Sequence, residues 1–312
     1  MTATLDAPAP PPAAPRARRR PNAYLVVAFV LLVAFLGLVV WVLGQRAYSD
    51  RLMAQHARAA VQAVAEEWTP EQRRAMTDAA RAYNASLLAS GSHVLGDAVD
   101  PLTGSNLAEA DARYQATLRL TDGGIMGRVV VPNIGVDLPI LHGSSEDALR
   151  QGAGHLYGTS VPIGGPGTLA VLSAHSGQVT ATGFLRLSEL RPGDFVYVQT
   201  MGETLGYVVD RTDVIAPDDF SHFTIVPGQD RIILMTCTPV GINTERLLVS
   251  ATRADIPDVV PAMADAPVGS ALPHLVQRLL LGGGLVLVLI AVGAFLRRRH
   301  RHRHRAGRHH RA

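Results

Sequence analysis

The chain has 312 residues, of which 47% are hydrophobic, and a formal net charge of +3 at pH 7. Its mean hydropathy of +0.16 is high for a soluble protein. All 29 basic residues are arginine; four lie at 16–20 and eight at 297–311, which leaves 17 basic and 25 acidic residues between them. The central region is therefore acidic, which excludes a nucleic-acid-binding domain, because such a domain carries its basic charge on the folded part.

Two uncharged apolar segments, 23–43 and 279–296, predict two membrane-spanning helices. The first has neither the short apolar region nor the small-residue cleavage site of a removed signal peptide, so it is interpreted as a retained anchor. Clusters of arginine flank the outer ends of both segments, and basic flanks favour the cytoplasm. We therefore expect both termini in the cytoplasm and the intervening region outside the cell membrane.

The changes of composition along the chain predict eight successive regions. They are a basic, proline-rich cytoplasmic tail (1–22), the anchor (23–43), a helical region (45–95), a glycine- and proline-bounded loop (96–104), a strand-rich domain (105–255), a Pro/Ala-rich linker (256–277), the second span (279–296) and a cytoplasmic Arg/His tail (297–312). Because arginines separate the histidines of the last tail, contact with anionic lipid is favoured over metal binding.

The helical region contains two apolar patterns with the spacing of α-helices. The first consists of Met53, Ala57, Ala60, Val64 and Trp68. Thr69, Pro70 and Gln72 then supply the N-cap, first-turn proline and third-position glutamine that start a second helix, which ends near Gly91. The predicted packing face of this second helix carries Met76, Ala79, Ala80, Tyr83 and Leu87.

From Gly127 onward, short β-branched and apolar segments alternate with turn residues. This spacing predicts a mainly β domain with a closed antiparallel sheet or barrel. The candidate strands are 128–131, 136–140, 168–174, 194–198, 204–214, 231–236 and 245–253.

Cys237 is the only cysteine, and it follows the apolar run from Ile232 to Met235 at the end of a candidate strand. Pro239 and Gly241 then begin a loop. A lone thiol in this position is either a small buried hydrophobic group or a nucleophile activated by a neighbouring base or cation. Composition alone leaves both interpretations open.

The run Ile233-Leu234-Met235-Thr236-Cys237, with Arg246 nine positions on, resembles the active-site strand of sortases, whose motif is Thr-Leu-x-Thr-Cys followed by arginine. Four positions depart from the usual pattern of these enzymes. Ile233 replaces a threonine, Val240 an aromatic residue, Glu245 a histidine and Ser176 an arginine. Further segments between Tyr83 and Arg253 resemble the pilin-polymerising class C sortases in the expected order. They are Met126-Gly127, Leu138-Pro139-Ile140, His142-Gly143, Gly154-His155-Leu156, Gly158-Thr159-Ser160 and Asp194-Phe195.

The resemblance implies a sortase-like closed β-barrel with N-terminal helices, flanked by the two transmembrane helices. It implies a cysteine transpeptidase without cofactor or metal, which cleaves LPxTG-like sorting signals of surface or pilin proteins and passes the thioacyl group to a pilin lysine. His142, His155 and His175 could each reach a strand-end site, and the residues alone do not rank them. The resemblance selects His175 as the acid and base, Cys237 as the nucleophile, and Arg246 to orient carbonyls and stabilise the oxyanion. Without the motif, Arg246 could instead pair with a surface carboxylate.

Class C sortases also carry an Asp-Pro-aromatic lid over the site, and Asp100-Pro101-Leu102 resembles it with leucine in the aromatic position. By this resemblance Asp100 pairs with Arg246 while Leu102 covers Cys237, and the leucine predicts a looser lid. From the residues alone, 96–104 could equally be a plain connector.

Two other functions stay open at this stage. An anchoring sortase would use a peptidoglycan amine as acceptor in place of a pilin lysine. A catalytically silent membrane scaffold would have the same barrel but no need of Cys237.

Overall fold

The computed structural model describes residues 23–91, 106–177 and 181–256, together with Gly282. The chain divides into two compact units, of which the second comprises Val40–Leu280. The lid residues Asp100, Pro101 and Leu102 lie outside the described residues, as does the predicted second span apart from Gly282.

The predicted anchor and the first amphipathic pattern form one continuous helix, α1 (Ala23–Glu67). In the described part of the chain, α1 is the one helix that is long and apolar enough to cross a membrane. Further along α1, Ala57, Ala60 and Val64 are buried, as their helical spacing predicts.

Helix α2 (Pro70–Ser90) begins and ends at the predicted residues. The Thr69 side chain accepts from the backbone N–H of Gln72 and the Gln72 side chain accepts from that of Thr69, which makes the predicted capping box. Gly91 closes the helix in the left-handed conformation. On the predicted packing face, Ala80 and Tyr83 are buried, but the prediction for Ala79 was wrong because this side chain is exposed.

Three short helices follow, α3 (Leu107–Ala110), α4 (Ala112–Ala116) and α5 (Glu146–Gln151). The remaining regular structure of the described residues consists of two 3₁₀-helices (Pro132–Ile134 and Leu187–Glu189) and eight strands. The strands are β1 (Ile125–Val131), β2 (Val136–His142), β3 (Ala153–His155), β4 (Thr168–Ser173), β5 (Phe195–Thr200), β6 (Glu203–Ile215), β7 (Asp230–Thr238) and β8 (Glu245–Arg253).

The strands close into a barrel in the order β1-β2-β3-β4-β7-β8-β6-β5, which confirms the predicted mainly β barrel. The predicted antiparallel pairing was wrong at two places, because β2 pairs with β3 and β4 with β7 in parallel. Parallel neighbours need a crossover connection. Helix α5 supplies it between β2 and β3, while the chain through β5 and β6 supplies it between β4 and β7.

The central strands separate two apolar clusters. Ile232 and Leu234 of β7 belong to the main core inside the barrel. Ile233 belongs to a second cluster on the outer face of β4, β7 and β8, where Phe223 and Ile225 from the loop between β6 and β7 cover the strands. Alternate residues of β7 therefore face opposite sides, as strand geometry requires.

Candidate active site

Cys237 lies near the end of β7 on the outer face of the barrel. Met235, two positions earlier, packs against the second apolar cluster with Ile233. Because side chains along a strand alternate, Cys237 shares this outer face. The thiol is free and half-buried, at the end of the cluster and next to the loop that begins at Pro239.

The register of β8 places Arg246 directly opposite Cys237 in the antiparallel pair. Opposite residues of such a pair have Cβ atoms about 4.5–5.5 Å apart on the same face. Leu248, two positions after Arg246, belongs to the outer cluster, so Arg246 faces the same side as the thiol. Arg246 and Cys237 are therefore neighbouring residues across one strand boundary.

The register of β4 brings His175 to the other side of Cys237. Ser173 pairs with Met235 in the parallel ladder, and the N–H of Ala174 donates to the Met235 carbonyl at 3.1 Å. Continuing this register by two residues sets His175 beside Cys237, since neighbouring strands lie about 4.8 Å apart. Cys237 on β7 is thus flanked by Arg246 on β8 and by the position two residues after β4, where His175 lies.

Thr236 ties the two strands together between these side chains. Its Oγ1 donates to the Ala174 carbonyl at 2.7 Å, and the residue is 4% exposed. A buried hydroxyl needs such a partner. The threonine that precedes the cysteine therefore fixes the spacing of β7 and β4 where His175 and Cys237 follow.

The Arg246 guanidinium contacts backbone carbonyls of its own loop. Nη1 donates to the Glu245 carbonyl at 3.1 Å and, more weakly, to that of Asn243 at 3.4 Å. Among the described residues, no carboxylate lies within ion-pair distance of Arg246. Its other N–H groups can therefore bind carbonyl oxygens or an oxyanion of a substrate.

The His175 ring is 26% exposed, yet its Nε2 atom is shielded from solvent and makes no hydrogen bond within the described residues. The carboxylate oxygen Oε1 of Glu146, in the first turn of α5, lies 3.5 Å from this nitrogen. The sequence did not single out Glu146. Ser145 as an N-cap before two acidic residues could have predicted the start of α5, but the approach of α5 to His175 depends on the barrel topology.

The loop after His175 returns to the same residue. The N–H of Phe184 donates to the His175 carbonyl at 2.8 Å. Gly183 has a φ of 52°, in the left-handed region that favours glycine. A Cβ at this position would also come within 2.6 Å of the His175 carbonyl oxygen, so both the backbone conformation and the close approach require glycine. The buried Asp50 carboxylate of α1 accepts from the N–H and hydroxyl of Thr182 at 2.9 and 2.6 Å, which fixes the loop to α1.

His142 and His155 lie away from this face and have structural partners. His155 is fully buried, with Nδ1 2.9 Å from the Tyr114 hydroxyl and Nε2 2.8 Å from the Ser160 carbonyl. Burial lowers the pKa of His155 to about 4, so the ring is neutral at pH 7. His142 contacts the carbonyls of Gly124 and Thr117 at 2.9 and 2.7 Å, and burial lowers its pKa as well.

Comparison with known proteins agrees with this geometry. A family model described as the sortase domain matches residues 129–254. Sortase C-1 from Actinomyces oris is 37% identical, with a TM-score of 0.53 over 59% of this chain and 99% of that one. The structure of Streptococcus pneumoniae sortase C, described as giving insight into catalysis and pilin substrate specificity, is 32% identical, with a TM-score of 0.57 over 66% of this chain and all of that one (100%). Sortase D of Bacillus subtilis is 28% identical over 154 residues, 48% of this chain and 75% of its own length.

Proposed function

This chain belongs to the sortase family of cysteine transpeptidases, and we propose that it joins pilin subunits through isopeptide bonds at the cell surface. The observation that supports the proposal is the strand register, which pairs Arg246 with Cys237 and, continued by two residues past Ser173, brings His175 next to Cys237. Identity above 30% to sortases C from Actinomyces oris and Streptococcus pneumoniae, spanning nearly their whole chains, supports the pilin-joining branch of the family.

The first half of the reaction forms a thioester. The Cys237 thiolate attacks the carbonyl carbon of threonine in an LPxTG-like signal, and Arg246 stabilises the oxyanion that develops there. When the bond between threonine and glycine breaks, the glycine amine leaves with a proton from the His175 imidazolium. The products are the thioacyl enzyme and the released C-terminal peptide.

The second half transfers the acyl group to an amine. A lysine ε-amine of the next pilin attacks the thioester carbon and gives a proton to neutral His175. The thiolate of Cys237 leaves, and an isopeptide bond remains. Cys237 is then again a thiolate and His175 again an imidazolium, as at the start of the first half.

We also propose a membrane topology with two spans. Helix α1 supplies the first, and the apolar segment 279–296 would supply the second. The arginine clusters at both ends of the chain would lie in the cytoplasm, with the barrel outside.

The acceptor distinguishes this function from cell-wall anchoring. We expect the full chain in detergent micelles, incubated with a lysine-bearing pilin that ends in an LPxTG-like signal, to yield a ladder of covalent oligomers without any cell-wall peptide. Replacing the acceptor lysine of that pilin with arginine is the matched control and should abolish the ladder.

Two other results would each overturn the proposal. If the pilin stays monomeric until a peptidoglycan stem peptide is added, and then forms a single adduct, the enzyme is an anchoring sortase. If neither product forms with folded protein, the barrel is a silent scaffold.

The segment Asp100-Pro101-Leu102 is proposed as a lid that blocks the site until it opens. A lid held by one aspartate and one leucine would expose the thiol when either contact is removed. We expect Asp100→Ala or Leu102→Gly to raise the rate at which a thiol reagent modifies Cys237 about three- to tenfold, a gain that corresponds to about 1 kcal/mol of closing free energy. Asp122→Ala, in the exposed turn before β1, is the control, and equal rates in all four proteins would mean that the segment is no lid.

A further inference from the structure

Barrel topology brings helix α5 to the end of β4. Strand β3 runs antiparallel to β4 with Gly154 opposite Ser173, so the first residue of β3 lies beside the position where His175 follows. Helix α5 ends at Gln151, two residues before β3. The Ser145 side chain caps the start of α5 and Ala148 is buried, while Glu146 of the first turn lies close to the imidazole of His175.

From this turn, the Glu146 carboxylate approaches Nε2 of His175, a ring nitrogen that is shielded from solvent. Oε1 of Glu146 lies 3.5 Å from Nε2, and Nε2 makes no hydrogen bond within the described residues. A shielded N–H without an acceptor is costly, and a small rotation of the glutamate side chain supplies the acceptor.

The other charged residues of α5, Asp147 and Arg150, pair mainly with each other, so the Glu146 carboxylate remains available to His175. Arg150 forms a close ion pair with Asp147, while its distance to Glu146 Oε1 is 3.8 Å. Asp147 is thus the main partner of Arg150. Glu146 has no other ion pair within the described residues than these two contacts.

We infer that Glu146 is a positioning residue that accepts the Nε2 proton of His175 and holds the ring so that Nδ1 exchanges protons with the thiol and the amine. The arrangement is chemically that of a base whose second nitrogen is held by a carboxylate, as in hydrolytic triads. The carboxylate does not touch the substrate. The inference rests on the proposed function, since it assigns a role in the reaction of the same site.

The test combines kinetics with a spectroscopic readout on the full chain in detergent micelles. We expect Glu146→Ala to lower the rate constant of thioacyl formation with an LPxTG peptide about tenfold, with KM unchanged within about twofold. Glu146→Asp, which keeps the charge one methylene further away, should recover part of the loss. In ¹⁵N-histidine-labelled protein, the Nε2–H proton of His175 should be visible in the wild type and exchange with water in Glu146→Ala.

A double variant, Asp147→Ala with Arg150→Ala, is the matched control, because it removes the exposed ion pair of the same helix, together with the 3.8 Å contact from Arg150 to Glu146, and keeps the Glu146 carboxylate. It should react within about twofold of the wild type and keep the Nε2–H resonance, since its removed pair is exposed. A Glu146→Ala protein that matches this control in both readouts overturns the inference. So does a rise in KM at unchanged kcat, which would make Glu146 a substrate-binding residue.

Failure of the proposed function is distinguishable from failure of this inference. A wild-type protein that forms no thioacyl adduct contradicts the transpeptidase assignment. The Nε2–H resonance still reports the contact between Glu146 and His175 in that case, because it needs no turnover.

Discussion

Replacing His175 with alanine should lower the rate of thioacyl formation about 10²- to 10⁴-fold while the barrel stays folded, because the leaving amine loses its proton donor. His175 lies two residues after β4, next to Cys237, and its ring is partly exposed. Within the described residues its Nε2 atom has no hydrogen-bond partner, unlike the ring nitrogens of His155. Loss of the imidazole ring therefore removes the proton donor but few packing contacts. Trapping the acyl enzyme with an LPxTG peptide measures the effect.

The matched variant is His155→Ala, which should lower the stability of the fold but leave thioacyl formation intact. The His155 ring contacts the Tyr114 hydroxyl and the Ser160 carbonyl inside the core, and its pKa of about 4 keeps it neutral. Its removal leaves a cavity and unpaired groups, with an expected loss of about 2–3 kcal/mol in the free energy of unfolding. The protein that remains folded should still form the adduct. A folded, inactive His155 variant together with an active His175 variant would contradict the assignment.

The second large effect concerns stability and is expected at Asp137 of β2. This carboxylate accepts from Arg128 Nε and Nη2 of β1 at 2.6 and 2.7 Å and from Arg58 Nη2 of α1 at 2.6 Å. The Asp137 and Arg128 side chains are only 1% and 7% exposed. Asp137→Ala would leave the Arg128 guanidinium buried without its counter-charge, at a cost of about 3–5 kcal/mol in unfolding free energy.

Arg58→Ala provides the comparison for this ion-pair cluster. The Arg58 side chain is 36% exposed, so water replaces part of the lost contact, and about 1 kcal/mol is expected. Urea denaturation of both variants in detergent micelles measures the difference. Equal losses in the two variants would show that the buried position of Arg128 does not set the cost.

Local signals predicted the parts of the fold that depend on neighbouring residues. The capping box at Thr69 and the helix end near Gly91 are set by contacts within four residues, and both predictions were correct. The spacing of apolar residues likewise predicted the burial of Ala57, Ala60 and Val64 in α1. These features need no knowledge of the tertiary structure.

Local signals of this kind could not predict which distant strands pair, or in which direction. The parallel register of β4 with β7 joins segments about sixty residues apart. The sequence of neither strand indicates whether the two run parallel or antiparallel. The sequence prediction therefore favoured an antiparallel sheet and omitted the three-residue β3. For the same reason it omitted Glu146, because only the pairing of β3 with β4 brings α5 to His175.

The candidate site was predictable to the extent that its residues lie in one motif. Thr236, Cys237 and Arg246 belong to a single hairpin, in which the register places Arg246 opposite Cys237. His175 could not be separated from His142 and His155 by residue pattern, and only the resemblance selected it. The structure distinguishes their surroundings, since His142 and His155 contact buried carbonyls while the register of β4 and β7 continues to His175 and Cys237.

The central claim is that Cys237 forms a thioester with a sorting signal, and the mass of the intact protein tests it most directly. After incubation of the full chain with an LPxTG peptide, we expect a new species heavier by the acyl portion through threonine, located on Cys237 and discharged by an added amine. Cys237→Ala should show no such species. An adduct that persists in Cys237→Ala, or its absence from folded wild-type protein at saturating peptide, would contradict the account.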